Sequence, residues 1–209
     1  MEASAPLASH IEPEPPAWQP RALWATARLM AGAAAFFFLA FVFAYFYLRT
    51  LDVNKSWKIG SVHAPVGWGI AIVVVLVLSA LALRIAAGRP FGELRLATVA
   101  LALALLAVVL QVVEWTTLGF GPASGAYASV FIGWTAFSAV FALPCAYWIE
   151  TQVASIWRAK REGIDRPRRE GVPADDVELL VAGLQACSFF WTFYVVIGVI
   201  TFFLLYLLK

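Results

Sequence analysis

Five long apolar runs constrain the fold of this chain more than any other feature of its sequence. They cover approximately residues 23–48, 66–86, 94–118, 126–150 and 184–208. Each run is long enough to cross the hydrocarbon core of a bilayer, which takes about 20 residues of α-helix. Backbone polar groups find no water there, and none of the runs alternates in the manner of a membrane barrel strand. We therefore predict an all-α polytopic membrane protein, a bundle of five transmembrane helices.

The overall composition agrees with this fold class. Hydrophobic residues make up 62% of the chain and charged residues 13%, whereas about a quarter of a soluble domain is charged. The net charge is +2, and the basic residues lie near the ends of the apolar runs rather than in one stripe. We therefore expect membrane lipids, and no nucleic acid, as partners.

Residue types that build metal or haem sites are scarce. The two histidines are His10 and His63, both outside the apolar runs, and the two cysteines, Cys145 and Cys187, lie inside them. A thiol in such a run is typically a small packing residue. No nucleophile paired with a base stands out either. We therefore predict no catalytic, cofactor-binding or metal-binding residue in this chain, and a membrane enzyme with its own active site is the weakest of the possible functions.

The two ends of the domain have different character. Residues 1–21 contain Pro6, Pro13, Pro15 and Pro16 together with three glutamates, a composition that buries no core, so we expect a mobile cytoplasmic tail. Residues 22–209 form the five-helix domain, in which 151–183 is expected to be a cytoplasmic loop. This loop carries both signs of charge, which fits a solvated connector, while docking of a partner stays open as an alternative.

The distribution of Lys and Arg predicts the orientation of the helices, because cytoplasmic loops are enriched in these residues. One side of the predicted bundle holds Arg21, Arg84, Arg89, Arg95, Arg158, Lys160, Arg161, Arg166, Arg168 and Arg169, and the other holds Arg49, Lys55, Lys58 and Lys209. We therefore expect a cytoplasmic N-terminus and an external C-terminus. The Gly- and Pro-containing turn 119–125 is short, so helices three and four are expected to pack side by side.

Glu114 is the clearest ionisable residue within the predicted membrane zone. It lies about one turn from the outer end of the third helix, and Gln111 precedes it by three residues on the same face. Burying a carboxylate in a membrane is costly, so such a residue is a functional candidate. Two interpretations are open: a protonated or hydrogen-bonded group inside the bundle, or a side chain that reaches the outer headgroups or caps a packing contact.

The stretch 110–137 resembles subunit III of the haem-copper terminal oxidases. The family reads L-Q-x-x-E-Y, a spacer, and then D-G-x-Y-G-S-x-F-F-x-x-T-G-F. The identical residues are Leu110, Gln111, Glu114, Gly125, Tyr127, Ser129, Phe131, Thr135 and Phe137, and Trp115 replaces the tyrosine of the family. Residues 44–49, AYFYLR, and 183–193, GLQACSFFWTF, are similar to two further segments of that family. The five-helix pattern resembles its shorter bacterial form.

The chain departs from the family where that family has ionisable residues in its interior. The family's helix-one glutamate is replaced by Ala34, its two helix-four histidines by Ser138 and Phe141, and its last-helix Glu, His and Asp by Gln185, Thr192 and Val195. These changes leave a packing role intact, because small and hydroxyl-bearing residues still permit close helix contacts. They put in doubt a role that needs protonatable side chains, so the chain resembles a divergent member.

The resemblance implies a non-catalytic subunit III of an aerobic respiratory oxidase, in the bacterial plasma membrane. Such a subunit packs against subunit I and subunit II, which hold haem and copper, and stabilises the catalytic subunit and its lipid environment, with phospholipid as a possible ligand. Candidate contact residues are Gln111, Glu114, Trp115, Tyr127, Ser129 and Thr135, while Trp191 would anchor the last helix. The alternatives are a subunit III-like accessory protein of a nitric oxide reductase system and a small proton-coupled transporter using Glu114. The electron donor, cytochrome c or quinol, depends on the other subunits.

Overall fold

The computed structural model describes residues 18–52, 57–58, 62–89, 92–163 and 174–208. Within these ranges the regular structure is entirely helical: α1 is Gln19–Thr50, α2 is Val66–Ala87, α3 is Leu94–Thr117, α4 is Ala126–Glu162 and α5 is Ala174–Phe202. A short π-helical turn, Phe203–Leu207, follows α5 directly. There are five described helices that are long and apolar enough to cross a membrane. The predicted all-α class is therefore confirmed for the described residues.

The last helix packs against three of the other helices. α5 packs against α1, α2 and α4, while α3 packs against α2 on one side and α4 on the other. The predicted pairing of α3 with α4 is confirmed.

The buried face of α3 consists of small residues and then two polar ones. Alanines at positions 97, 100, 104 and 107 are buried, and the series continues with Gln111 and Glu114. Residues three or four apart lie on one face of a helix, and small side chains there let neighbouring helices approach closely. The same periodicity that packs α3 against α2 therefore directs both polar side chains into the bundle.

Aromatic side chains attach α1 to α4 and α5. Phe38 is buried, and its ring makes edge contacts with those of Phe137 and Phe141 at centroid distances of 5.5 and 5.7 Å. Phe41 stacks on the indole of Trp134 at 5.7 Å. Such ring pairs add about 1 kcal/mol each to the energy of burial.

The expected loop 151–183 is wrong over most of its length. α4 continues to Glu162 and α5 already begins at Ala174, and residues 164–173 lie outside the described part of the chain. Arg158, Lys160, Arg161 and Glu162 are exposed in the last turns of α4, but Ile156 and Ala159 of the same turns are buried, so the charged segment is helical. Gly163, directly after α4, has φ +74°, the left-handed conformation common after helix C-termini.

The extension of α4 and the first residue of the predicted fifth run pack against Gly92, just before α3. Gly92 has φ +70°, and a Cβ atom at this position would lie 2.9 Å from Leu184 and 3.0 Å from Ile156. At the other end of the domain, α1 begins at Gln19, so the predicted tail 1–21 is wrong for its last three residues. Residues 1–17 lie outside the described structure.

Candidate functional site

The candidate site is centred on the carboxyl group of Glu114, in the last turns of α3. Its side chain is fully buried, and that of Gln111 is 8% exposed. The amide nitrogen of Gln111 donates to Oε2 of Glu114 at 2.6 Å. The hydroxyl of Tyr206, from the π-helical turn after α5, lies 2.7 Å from Oε1 and 2.8 Å from Oε2. We call Gln111, Glu114 and Tyr206 the polar cluster.

In the polar cluster, the buried carboxyl group of Glu114 receives its hydrogen bonds from other residues of the same chain. A carboxyl group without partners in an apolar interior costs several kcal/mol, whereas hydrogen bonds from neutral donors recover much of this cost. Gln111 comes from the same helix as Glu114, but Tyr206 comes from the end of the chain. The hydrogen bond between Tyr206 and Glu114 therefore links α3 to the last turn of the bundle. Of the two interpretations from the sequence, the structure supports the group inside the bundle.

The ring of Tyr206 reaches the cluster across a glycine of α2. A Cβ atom at Gly69 would lie only 2.7 Å from Cε1 of Tyr206 and 2.9 Å from Cδ2 of Phe202. On its other sides the ring contacts Phe131 edge-on, at 5.3 Å, and stacks with Phe202 at the same centroid distance. Gly69 is thus the place where α2 makes room for the tyrosine.

Tyr127 fastens the start of α4 to the end of the chain. Its hydroxyl donates to the backbone oxygen of Leu205 at 2.5 Å, and its backbone N–H donates to the carbonyl of Trp57 at 3.0 Å. The last carbonyls of a helix have no partner within the helix itself. The carbonyl of Leu208 also receives hydrogen bonds from side chains of another helix, from Arg49 at 2.6 Å and from Tyr45 at 3.2 Å.

Trp115 and Thr135 form a separate link between α3 and α4. The indole N–H of Trp115 donates to the hydroxyl oxygen of Thr135 at 3.0 Å, and that hydroxyl donates to the carbonyl of Phe131 at 2.8 Å. Thr135 is buried. Trp115 therefore supplies a polar group of α3 that contacts α4.

Ser129 and Trp191 lie apart from the polar cluster. Ser129 donates to the carbonyl of Pro122 at 2.5 Å and so stabilises the turn before α4. Trp191, which we expected to anchor the last helix, is 1% exposed, and its indole N–H donates to the hydroxyl of Ser79 at 3.1 Å. Ser79 in turn donates to the carbonyl of Ala100 at 2.7 Å. Trp191 thus connects α5 through α2 to α3 inside the bundle.

Sequence reasoning missed Tyr206 and Ser79, which complete two of the buried polar contacts between helices. One signal for Tyr206 was available: its phenol lies near the end of the fifth run, as Glu114 lies near the end of the third. If both helices run in the same direction, the two residues have similar depth. Ser79 gave no comparable signal, because serine in an apolar run also occurs simply as a small packing residue.

A small cavity adjoins the polar cluster. Its volume is about 50 Å³, and apolar residues of α2 to α5 line most of it, with Gln111, Thr135 and Tyr206 among the polar ones. A site needs about 10–15 Å³ to admit one water molecule. The cavity therefore has space for water or a very small ligand beside Gln111 and Tyr206.

In the described residues there is no group of three or more His, Cys, Asp or Glu side chains arranged to hold a metal ion. Both cysteines, Cys145 and Cys187, are buried as free thiols. The prediction that haem and copper lie on partner subunits stays a prediction.

No family model matches the chain, and comparison with curated proteins likewise gives no match. The resemblance to subunit III therefore rests on the residues matched in the sequence.

Proposed function

We propose that this chain is a non-catalytic membrane subunit of an aerobic respiratory terminal oxidase, corresponding to subunit III of the haem-copper enzymes. It crosses the bacterial plasma membrane five times, with its N-terminus in the cytoplasm and its C-terminus outside. It packs beside the catalytic subunit, which binds haem and copper, and stabilises that subunit and its lipid surroundings. Oxygen reduction and proton translocation take place on the partner subunits.

One observation carries this proposal: four polar residues that match the family are buried where helices meet. Gln111, Glu114, Tyr127 and Thr135 are all buried. Through their side chains they make the contacts of the polar cluster, the link from α4 to the end of the chain and the link from α3 to α4. A homologous subunit whose role is structural retains those residues that set its helix packing, even where other polar groups are lost.

The enclosure of Glu114 favours a structural role over transport. A proton-coupled transporter needs a carboxyl group that water reaches in turn from each side of the membrane. Glu114 is fully buried and receives its hydrogen bonds from Gln111 and Tyr206. The accessory protein of a nitric oxide reductase system has the same expected fold, so copurifying subunits distinguish it from the oxidase subunit.

The test is purification of the tagged chain from its native membrane in a mild detergent, followed by a redox difference spectrum and mass spectrometry. We expect haem bands and a large polytopic catalytic subunit in preparations from aerobically grown cells. A chain that purifies alone and colourless from membranes rich in oxidase would contradict the proposal. Copurification of a nitric oxide reductase instead would favour the accessory protein.

A pair of variants at one position separates the structural role from transport. Glu114→Gln keeps the shape of the side chain and its capacity for hydrogen bonds, whereas Glu114→Ala removes both. We expect Glu114→Gln to copurify with the catalytic subunit as the wild type does, and Glu114→Ala to reduce its yield. Proton uptake by liposomes containing the chain alone, abolished in Glu114→Gln, would instead favour the transporter.

A further inference from the structure

The cavity beside the polar cluster lies where four helices meet. Its volume is about 50 Å³, and each of α2 to α5 contributes a small residue to its wall: Gly69, Ala107, Ala139 and Gly198. About 10–15 Å³ suffices for one water molecule, and a buried site retains water only where polar groups bind it. The hydrogen-bonding groups in the wall therefore decide what the cavity binds.

Four hydroxyl groups in the wall already donate their protons within the protein. They belong to Thr135, Tyr194, Thr201 and Tyr206, and each donates to a carbonyl or carboxylate oxygen at 2.7 to 2.9 Å. A hydroxyl oxygen carries two lone pairs in addition to its proton. These four groups are therefore available to a ligand as acceptors.

Two further polar groups of the wall, on Ser138 and Gln111, lack a protein partner. Among the described residues, the hydroxyl of Ser138 forms no hydrogen bond, and the amide oxygen of Gln111 accepts none, while its nitrogen donates to Glu114. A polar group without a partner inside a membrane bundle is unfavourable. The hydroxyl of Ser138 can donate and accept, and the amide oxygen of Gln111 can accept.

The packing of α3 against α4 places these two groups at the same depth. The indole of Trp115 bonds to the hydroxyl of Thr135, which sets the relative position of the two helices. One turn further from the connection between the helices, Gln111 follows on α3 and Ser138 on α4. Since both residues line the cavity, a small ligand inside it can contact both.

We propose that the cavity binds an ordered water molecule that bridges the hydroxyl of Ser138 and the amide oxygen of Gln111. The serine donates to the water oxygen, and the water donates one proton to the amide oxygen. Its second proton is accepted by one of the four hydroxyl oxygens of the wall, which completes the about three hydrogen bonds typical of buried water. The water thus extends the polar cluster from α3 to α4. This inference needs no oxidase partner.

The polar groups favour water over an apolar guest of similar size. A xenon atom would gain dispersion contacts with apolar wall residues such as Ile72 and Leu76. It would leave the hydroxyl of Ser138 and the amide oxygen of Gln111 without a partner, and that desolvation is costly in a low-dielectric interior. Water satisfies both groups at once.

Transfer of magnetisation from water to the amide of Gln111 tests the proposal, measured by solid-state NMR on the full chain in lipid bilayers. The chain contains four glutamines, at positions 19, 111, 152 and 185, so labelling with ¹⁵N-glutamine gives few side-chain signals. The Gln111→Met variant assigns the signal of Gln111 by its disappearance. We expect the wild type to show transfer to this amide.

Two alanines of α4 provide a variant that fills the cavity and its control. Ala139 is buried and lines the cavity, whereas Ala136 is half-buried and does not line it. We expect Ala139→Val to abolish the transfer to Gln111 and Ala136→Val to retain it. Equal transfer in both variants would mean that water reaches the amide from outside the cavity, and the proposal would be wrong. Absence of transfer in the wild type, with a shift of wall signals under xenon pressure, would identify an apolar site instead.

A second pair of variants tests the hydroxyl at position 138 without filling the cavity. Ser138→Ala removes the hydroxyl, and Ser138→Thr retains it. We expect the transfer to Gln111 to be lost in the alanine variant and kept in the threonine variant. Retention in Ser138→Ala, or loss in both variants, would contradict the bridge. The measurements use this chain alone, so their outcome is independent of whether the chain copurifies with an oxidase.

Discussion

The hydroxyl of Tyr206 lies 2.7 and 2.8 Å from the two carboxylate oxygens of Glu114, 92 residues earlier in the chain. The phenol is a single donor placed between two acceptors, and Gln111 supplies Oε2 from the other side at 2.6 Å. This contact attaches the π-helical turn after α5 to α3. Loss of the hydroxyl of Tyr206 would leave the buried carboxyl group of Glu114 with one donor fewer.

Replacement of Tyr206 by phenylalanine tests this contact. The change keeps the ring and removes the donor, so we expect the free energy of unfolding to fall by about 1–2 kcal/mol. The control is Tyr147→Phe, because Tyr147 is 68% exposed and makes no polar side-chain contact among the described residues. Equilibrium unfolding in mixed micelles measures both variants. Equal stabilities of the two would show that the hydrogen bond contributes nothing.

We expect Gly69 to tolerate no side chain and Gly67 to tolerate one. A Cβ at Gly69 would lie 2.7 Å from Cε1 of Tyr206, while a Cβ at Gly67 would have no neighbour within 4 Å. We expect Gly69→Ala to destabilise the bundle by about 1–3 kcal/mol through overpacking. Gly67→Ala should be neutral or slightly stabilising, because alanine favours helix over glycine. Thermal unfolding of the two variants in the same detergent measures both effects. A Gly69→Ala variant as stable as the wild type would mean that Tyr206 moves aside at little cost.

Ser79 is predicted to matter more than an ordinary serine in a helix. It accepts from Trp191 of α5 and donates to Ala100 of α3, so Ser79→Ala breaks two interhelical bonds at once. We expect a loss of about 1–2 kcal/mol. The matched control is Ser155→Ala, since among the described residues Ser155 bonds only to Thr151 in its own helix. The fluorescence of the protein during unfolding reports both variants, and equal midpoints would argue against a linking role for Ser79.

The proposed orientation predicts which introduced cysteines react from outside the cell. The native thiols are buried, so labelling reports the new positions. Ala123→Cys, in the exposed turn between α3 and α4, should react with a membrane-impermeant maleimide on intact spheroplasts. Lys160→Cys, exposed near the end of α4, should react only after the membrane is opened. The reverse pattern would place the N-terminus outside.

Much of the helical architecture could be predicted from the sequence, because an apolar run of membrane length satisfies its backbone hydrogen bonds as an α-helix. α2 begins at Val66 and α3 at Leu94, as predicted. The ends outside the apolar runs were not predicted, since a charged segment forms a loop or a helix according to what its apolar residues contact. Ile156 is buried beside Gly92, and Leu184 packs on the same glycine, so these contacts join parts of the chain that are distant in sequence.

By itself, the sequence determined that five helices form and that Glu114 and Gln111 share a face near one end of the third. Helical periodicity and hydrophobic length are local properties, so they need no knowledge of neighbours. Only the tertiary structure decided that Tyr206 completes the polar cluster and that Trp191 bonds to Ser79. The reason is physical: which helices adjoin, and at what rotation, depends on the sum of many packing contacts. Small residues such as Gly69 permit those contacts without specifying the partner.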